Sequence, residues 1–172
     1  MADLSQPAPT VRRYGLLAYA VAASVALADQ ASKLFVLAEL HLGLILQVPV
    51  FPPFFKLSMV WNPGVSFSLL RADTALGRWL LVAFAGAVVT VLAVFVRKTD
   101  RLLTAIAIGM IMGGAIGNNL IDRIRFGAVA DFLDFSGCFF PWVFNLADSA
   151  ITLGVVILLI ESFQAPKPKP EA

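Results

Sequence analysis

The chain has 172 residues, of which 59% are hydrophobic and 14% charged, with a formal net charge of +2 and a mean hydropathy of +0.86. An ordinary globular domain is roughly 45–50% apolar and about 25% charged, so this composition excludes intrinsic disorder, a nucleic-acid-binding tail and an ordinary soluble enzyme, and it points to a membrane protein. The single cysteine, Cys138, excludes an intrachain disulfide framework and a cysteine-based zinc site.

Residues 1–13 are polar and read as a tail. A spanning helix needs about 20 mostly apolar residues, and four stretches qualify. The first, 14–28, is uncharged and its pattern continues past Asp29 and Lys33 to residue 40. That continuation, without a clear cleavage site, argues against a cleavable signal peptide. Asp29 and Lys33 stand four apart on one helix face, which predicts a structural ion pair. The connection 41–78 is long. His41 within it reads as an interfacial residue rather than a ligand. Phe55, Leu57, Met59 and Trp61 alternate with Lys56, Ser58, Val60 and Asn62, which is strand periodicity. Asn62-Pro63-Gly64 has turn chemistry, with Pro fixing φ and Gly permitting a positive one. Val65, Phe67 and Leu69 then alternate with Ser66 and Ser68, so a small hairpin or sheet is predicted here.

The second span, 79–96, is uncharged, and 97–101 is a tight turn. The third, 102–121, carries Ala105, Gly109, Gly113 and Gly117 at four-residue spacing, a register that lets helices approach closely in lipid. Residues 122–141 join it to the fourth span, 142–160, whose one charge is Asp148, roughly 9 Å past the start at Trp142. Residues 165–172 alternate Pro with Lys and form a second tail. The whole chain, 1–172, reads as one integral membrane domain. Four spans put both termini on one side. Arg12, Arg13, Arg97, Lys98, Arg101, Lys167 and Lys169 lie on that side, against Lys33, Lys56, Arg71, Arg78, Arg123 and Arg125 on the other. Most of the first set sits in short flanks and tails, so the termini are taken as cytoplasmic.

With this topology, Asp29, Lys33, Asn62, Asn118, Asn119, Asp122, Arg123, Asp131, Asn145 and Asp148 all fall near the outer face. An Asp inside a span costs a few kcal/mol and normally has a task, which singles out Asp148. Asn145, three residues earlier, shares its face. Asp131 alone reads as a loop carboxylate, and Asp122 and Arg123 as interfacial charges. Two carboxylates from separate segments at one depth suggest aspartic-type hydrolysis. Like charge keeps one protonated, the ionised one activates water, and the protonated one polarises a carbonyl. Spacing alone does not bring Asp131 to Asp148. A proton-coupled transporter would place its carboxylate near the midplane, and a noncatalytic scaffold leaves the paired acids unexplained.

Five segments together resemble the lipoprotein signal peptidases, or signal peptidase II, a family of bacterial intramembrane aspartic peptidases. Asp29-Gln30-Ala31-Ser32-Lys33 is similar to the family's D-Q-x-x-K, and Asn62-Pro63-Gly64-Val65-Ser66-Phe67 to its N-x-G-x-x-F. Residues 113–123 are similar to G-G-A-x-G-N-x-x-D-R, 127–132 to G-x-V-x-D-F, and 144–148 to F-N-x-A-D. One departure is that both Asn118 and Asn119 stand where the family has a single Asn. Counting forward from Gly117 selects Asn118, and counting back from Asp122 selects Asn119. Asn119 is preferred, because its spacing from Asp122 and Arg123 sets the face it shares with them.

The resemblance implies a membrane all-α fold of four transmembrane helices, with a small extracytoplasmic β-sheet and a short extracytoplasmic helix around 122–141. It implies a catalytic pair of Asp131 and Asp148. Asn62, Asn119, Arg123 and Asn145 would orient the pair or hold substrate, and Asp29, Lys33 and Asp122 would be structural or support the site indirectly. The expected substrates are diacylglyceryl-prolipoproteins, cut just before the lipidated Cys. Membrane lipids are the other expected partner. No metal, cofactor or nucleic acid is expected, and the chain is expected to act as a monomer in the bacterial inner membrane, with its site towards the outer face. Phe54, Phe55, Trp61 and Phe67 suit a sheet lying at the membrane interface.

Overall fold

Four helices are long and apolar enough to cross a membrane: Gly15–Glu39, Ala75–Val96, Leu102–Phe126 and Leu146–Phe163. The computed structural model describes residues 14–64 and 74–164. The tails with Arg12, Arg13, Lys167 and Lys169, the expected strand through Val65, Phe67 and Leu69, and Arg71 lie outside the described residues. The first span is helix α1 (Gly15–Leu34) followed by a π-helical segment, Phe35–Glu39. A short helix α2 (Leu42–Ile45) leads into strands β1 (Gln47–Phe51) and β2 (Phe55–Asn62). Helix α3 (Ala75–Val96) follows. Helix α4 (Leu102–Ala115) then passes into a second π-helical segment, Ile116–Asp122, and the four-residue α5 (Arg123–Phe126). Strands β3 (Val129–Asp134) and β4 (Val143–Phe144) precede helix α6 (Leu146–Gln164).

Helix α4 is the centre of the bundle, and its glycines explain why. A Cβ on Gly109 would stand 2.6 Å from Ala18 O, and one on Gly113 2.5 Å from Ala22 O, so α1 lies directly on α4 backbone. A Cβ on Gly114 would meet Ala147 O at 2.5 Å, and one on Gly154 would meet Ala107 O at 2.7 Å, so α6 does the same on another face. The small-residue register predicted for close packing therefore serves α1, while Gly114 and Gly154 serve α6. Ala18, Ala22, Val96, Ala105, Ile108 and Met112 form the bundle's buried core. Leu16, Phe84 and Phe163 remain outward-facing, as lipid contact requires.

One end of the bundle gathers the start of α1, the α3–α4 turn and the end of α6. Tyr14 N donates to Thr99 O at 3.0 Å. Arg101 Nε lies 2.9 Å from Glu161 Oε1, and the Thr104 hydroxyl donates to the same carboxylate. The sheet and the polar residues occupy the opposite end.

The sheet is antiparallel, in the order β1-β2-β3-β4. Strand β2 has β1 on one edge, joined to it by a hairpin turn at 52–54, and β3 on the other, so the expected small sheet is present. The Asn62-Pro63-Gly64 segment does bend as its chemistry demands, with Gly64 at φ 117° and its N–H bonded to Asn62 Oδ1 at 3.0 Å. Within 122–141 the helical pieces are short, α5 and a 3₁₀ turn at Ser136–Cys138. Gly127, at φ 78°, ends α5 in the left-handed conformation glycine tolerates, and the chain then turns into β3. Finally, the last span begins at Leu146, not Trp142. Asn145 Oδ1 accepts the N–H of Asp148 at 3.0 Å, and Asp148 Oδ2 accepts the N–H of Asn145 at 3.1 Å. This reciprocal cap fixes the helix start, leaves 143–144 to pair with β3, and puts Asp148 in the first turn of the span.

Candidate active site

The capping arrangement at Asn145 also builds the site. Its side-chain Nδ2 donates to Asp131 Oδ1 at 2.7 Å while its backbone N–H holds Asp148 Oδ2. One asparagine therefore touches both carboxylates, one from a strand and one from a helix. The other oxygen of Asp131 accepts from Asn62 Nδ2 at 3.1 Å, and the other oxygen of Asp148 from Asn118 Nδ2 at 2.8 Å. Asp131 reaches this position because β2 carries one extra residue against β3. Leu57 faces Leu133 and Val60 faces Asp131, a bulge that re-aims the neighbouring side chains. Asp131 is 2% exposed, whereas Asp148 is half-buried.

Burial is the main force on Asp131 and pushes its carboxyl up to about 6. The Asn62 hydrogen bond opposes this, the charge of Asp148 adds to it, and Asn145 and Lys33 oppose it. One carboxyl of the pair thus retains its proton above the ordinary carboxylate range, as aspartic chemistry requires.

Behind the pair lies a buried ion cluster. Lys33 Nζ stands 2.8 Å from Asp29 Oδ2, 2.7 Å from Asp122 Oδ2 and 2.7 Å from Asn118 Oδ1. The expected Asp29–Lys33 pair is present, and Asp122 is its third member rather than an interfacial charge, being 0% exposed. Arg123 donates to Asn119 Oδ1 at 3.0 Å and to Pro63 O at 2.8 Å, tying α5 to the bend after Asn62.

The asparagine choice is corrected. Asn118, not Asn119, reaches Asp148. Residues 116–122 are π-helical, and a ladder of wider turns carries side chains away from the faces that a 3.6-residue period assigns. Two other features went unnoticed in the sequence. Gln30 Nε2 donates to Asp122 Oδ1 at 2.8 Å and to Asp29 Oδ2 at 3.1 Å. Its place within the D-Q-x-x-K segment was the available signal. Asp134 Oδ2 accepts from the Ser58 hydroxyl at 2.6 Å and Asp134 Oδ1 from Ser136 N–H at 2.9 Å, locking β2 to β3 beyond the bulge. Nothing in the spacing of Ser58 and Asp134 marks them as partners.

Beside Asp148 a cleft of about 400 Å³ is lined by Phe140, Phe144, Ser149, Thr152 and Leu153. Rings of Phe55, Phe135 and Phe144 stack across the sheet at 4.6 and 5.8 Å between centroids, with Phe140 edge-on to Phe144 and Trp142.

Known proteins resemble this chain over nearly its whole length. The family profile for signal peptidase (SPase) II matches residues 21–164. A lipoprotein signal peptidase of Caulobacter vibrioides is 50% identical over 163 residues, which is 95% of this chain and 96% of that one. One from Beijerinckia indica subsp. indica is 43% identical over 84% of this chain and 87% of the other. A solved structure described as a bacterial membrane enzyme, obtained by the in meso method at 1.9 Å resolution, superposes with a TM-score of 0.76 at 25% identity, covering 92% of this chain and 100% of that one. A capped carboxylate pair at one end of a four-span bundle, within a match of this extent, leaves one assignment: the chain belongs to the signal peptidase II family of aspartic peptidases.

Proposed function

We propose that this protein removes signal peptides from prolipoproteins whose lipobox Cys carries diacylglycerol, cutting the peptide bond just before that Cys with Asp131 and Asp148 as the catalytic pair. The observation that carries the assignment of the pair is Asn145, which holds one oxygen of each carboxylate. The two acids share one proton. The ionised carboxylate takes a proton from water as its oxygen attacks the scissile carbonyl carbon. The protonated carboxyl donates to the carbonyl oxygen, giving a neutral tetrahedral diol. On collapse, the Cys nitrogen receives a proton and the C–N bond breaks, leaving a signal-peptide carboxyl group and a lipidated Cys with a free amine. These steps require no metal or cofactor.

The other site residues have supporting parts. Asn62, Asn118 and Asn145 orient the carboxylates, Arg123 and Asn119 hold the bend at Pro63, and Asp29, Lys33 and Asp122 support the site from behind. The apolar cleft beside Asp148 suits a lipid-bearing substrate, since acyl chains contribute about 0.8 kcal/mol per buried CH₂ and ask for no hydrogen bonds. The protein is a bacterial inner-membrane protein. In this reading residues 1–172 form one domain, a single copy is sufficient, the termini are cytoplasmic and the sheet end faces outward. Reporter fusions at the two termini test the orientation. The decisive experiment is cleavage of a diacylated prolipoprotein in detergent by the folded Asp131→Asn and Asp148→Asn variants. Both should be inactive, and normal cleavage by either one overturns the pair.

A further inference from the structure

Each carboxylate of the buried ion cluster has a second partner. Asp29 Oδ1 accepts the backbone N–H of Ala147 at 3.1 Å, and Asp122 Oδ2 accepts the backbone N–H of Ala130 at 3.1 Å. Ala147 immediately precedes Asp148, and Ala130 immediately precedes Asp131. Two donors from one helix hold these carboxylates together. Lys33 Nζ lies within 2.8 Å of both, and Gln30 Nε2 donates to both, at 3.1 Å to Asp29 and 2.8 Å to Asp122. Gln30 also donates to Gly117 O at 3.3 Å. We infer that Gln30 and Lys33 form a positioning clamp for the reaction, setting the separation of Asp131 and Asp148 through the two amide N–H groups that Asp122 and Asp29 grip. The inference rests on the reading of Asp131 and Asp148 as the catalytic pair, and it gives Gln30 a task in turnover as well as in folding.

The physical reason is economy of reference points. Asp131 is on a strand and Asp148 on a helix, so no single element fixes their distance. Helix α1 contributes neither of them, yet through Gln30 and Lys33 it is hydrogen-bonded, by way of Asp122 and Asp29, to the backbone just before each. An error on the order of 1 Å in such a pair costs about 10²-fold in rate.

The charged groups around the clamp are Asp29 on α1, Asp122 on the π-helical segment, Arg123 and Arg125 on α5, Asp131 on β3 and Asp148 on α6. Among the described residues, removing the Lys33 ammonium leaves four acids and two arginines there. The remaining negative charge then opposes ionisation of the pair and moves the alkaline limb of the pH–rate profile upward.

The test is steady-state turnover of a diacylated prolipoprotein by the full chain in detergent, with thermal unfolding followed on the same samples. Gln30→Leu and Gln30→Ala keep both Lys33 ion pairs, so they should fold. Their kcat should fall by on the order of 10- to 10²-fold, with KM within about two-fold of the wild-type value. Lys33→Met, where it folds, should add the upward shift of the alkaline limb. Gln30 variants that unfold, or that fold and turn over at the wild-type rate, overturn the inference. Asp131→Asn and Asp148→Asn run alongside. If either cleaves normally, the catalytic pair itself is wrong. If both are dead while folded Gln30→Leu runs at full rate, only the clamp is wrong.

Discussion

Gly114 offers the sharpest separation of packing from positioning. It lies on α4 where α6 crosses, and a Cβ built there falls 2.5 Å from Ala147 O and 2.6 Å from Ile151 Cγ1. The isoleucine is able to turn away. The carbonyl is backbone, and it sits about 0.9 Å inside the 3.4 Å at which ordinary contact begins. Gly114→Ala therefore has to move the first turn of α6 away from α4 by most of that deficit. Asp148 is the next residue, held at 2.8 Å by Asn118 on the α4 side and at 3.1 Å by the Asn145 N–H, so the displacement stretches the first bond and shifts the carboxylate relative to Asp131. Overpacking of this kind costs about 1–3 kcal/mol of stability, and the misplacement costs about 10²-fold in turnover. Gly109→Ala is the control. Its clash is nearly equal, 2.6 Å to Ala18 O, but it faces α1 and lies nine residues before Asn118, roughly 13 Å along the helix. The assay is kcat/KM for a diacylated prolipoprotein, scaled to the folded fraction from thermal unfolding. Both variants should lose similar stability, and only Gly114→Ala should lose most of its rate. Equal rate losses in the two, or full activity in Gly114→Ala, would refute the coupling of α6 packing to the carboxylate pair.

Asn118→Leu should lower kcat by about 10²-fold, because it strips a donor from Asp148. Asn119→Leu should cost less, since Asn119 reaches the pair only through Arg123, and parallel turnover measurements decide between them. The pH dependence has a fixed sign. Burial, chiefly, raises the Asp131 carboxyl to about 6, so the shared proton is lost as pH climbs past that value and kcat/KM should fall on the alkaline side. Asn62→Leu removes a hydrogen bond that favours the ionised form, so the alkaline limb of its pH–rate profile should move upward, and a downward move would contradict the reasoning. Ser58→Ala should cost about 1–3 kcal/mol of stability, seen as a fall of several degrees in melting temperature. Burial alone would raise Asp134, but Ser58, Ser136 and Lys56 outweigh it and hold the carboxyl near 2. A depressed carboxyl stabilises the fold above its ordinary range, and that contribution disappears as pH falls from about 4 towards 2. The Ser58→Ala deficit should therefore be larger at pH 7 than at pH 2.

The spans were legible because their signal is local. Uncharged runs at 79–96 and 102–121 needed only a length and a hydropathy, and the four-residue spacing of Gly109 and Gly113 needed only a helical period. The ends of elements were less legible. The fourth span reads from Trp142 in the sequence, because Trp142, Val143 and Phe144 are apolar and hydropathy does not register Asn145 as a cap. It begins at Leu146 because Asn145 and Asp148 satisfy each other's N–H groups. Asn118 was passed over for a similar reason, since a period of 3.6 residues does not hold across a π-helical segment. The β3 partner of β2 was not legible because alternation identifies a strand without naming its neighbour. Strand β3 comes from nearly seventy residues away along the chain, and pairing at that range leaves no periodic trace. The five motifs singled out Asp131 and Asp148, yet they carried no distance between them.

The choice of amides around the pair follows from the same electrostatics. Lys33 is the cation buried behind the site, and it is already engaged by Asp29 and Asp122. Arg123 directs its hydrogen bonds to Asn119 and Pro63. Among the described residues, Asp131 and Asp148 take their side-chain hydrogen bonds from Asn62, Asn118 and Asn145. A dedicated lysine or arginine against either carboxylate would favour the fully ionised pair, with no proton left to polarise a carbonyl. Neutral amides fix the geometry of the carboxylates while leaving burial and mutual repulsion strong enough to retain one proton. A chain with few charges can therefore hold two carboxylates with neutral amides while its buried lysine is ion-paired to Asp29 and Asp122.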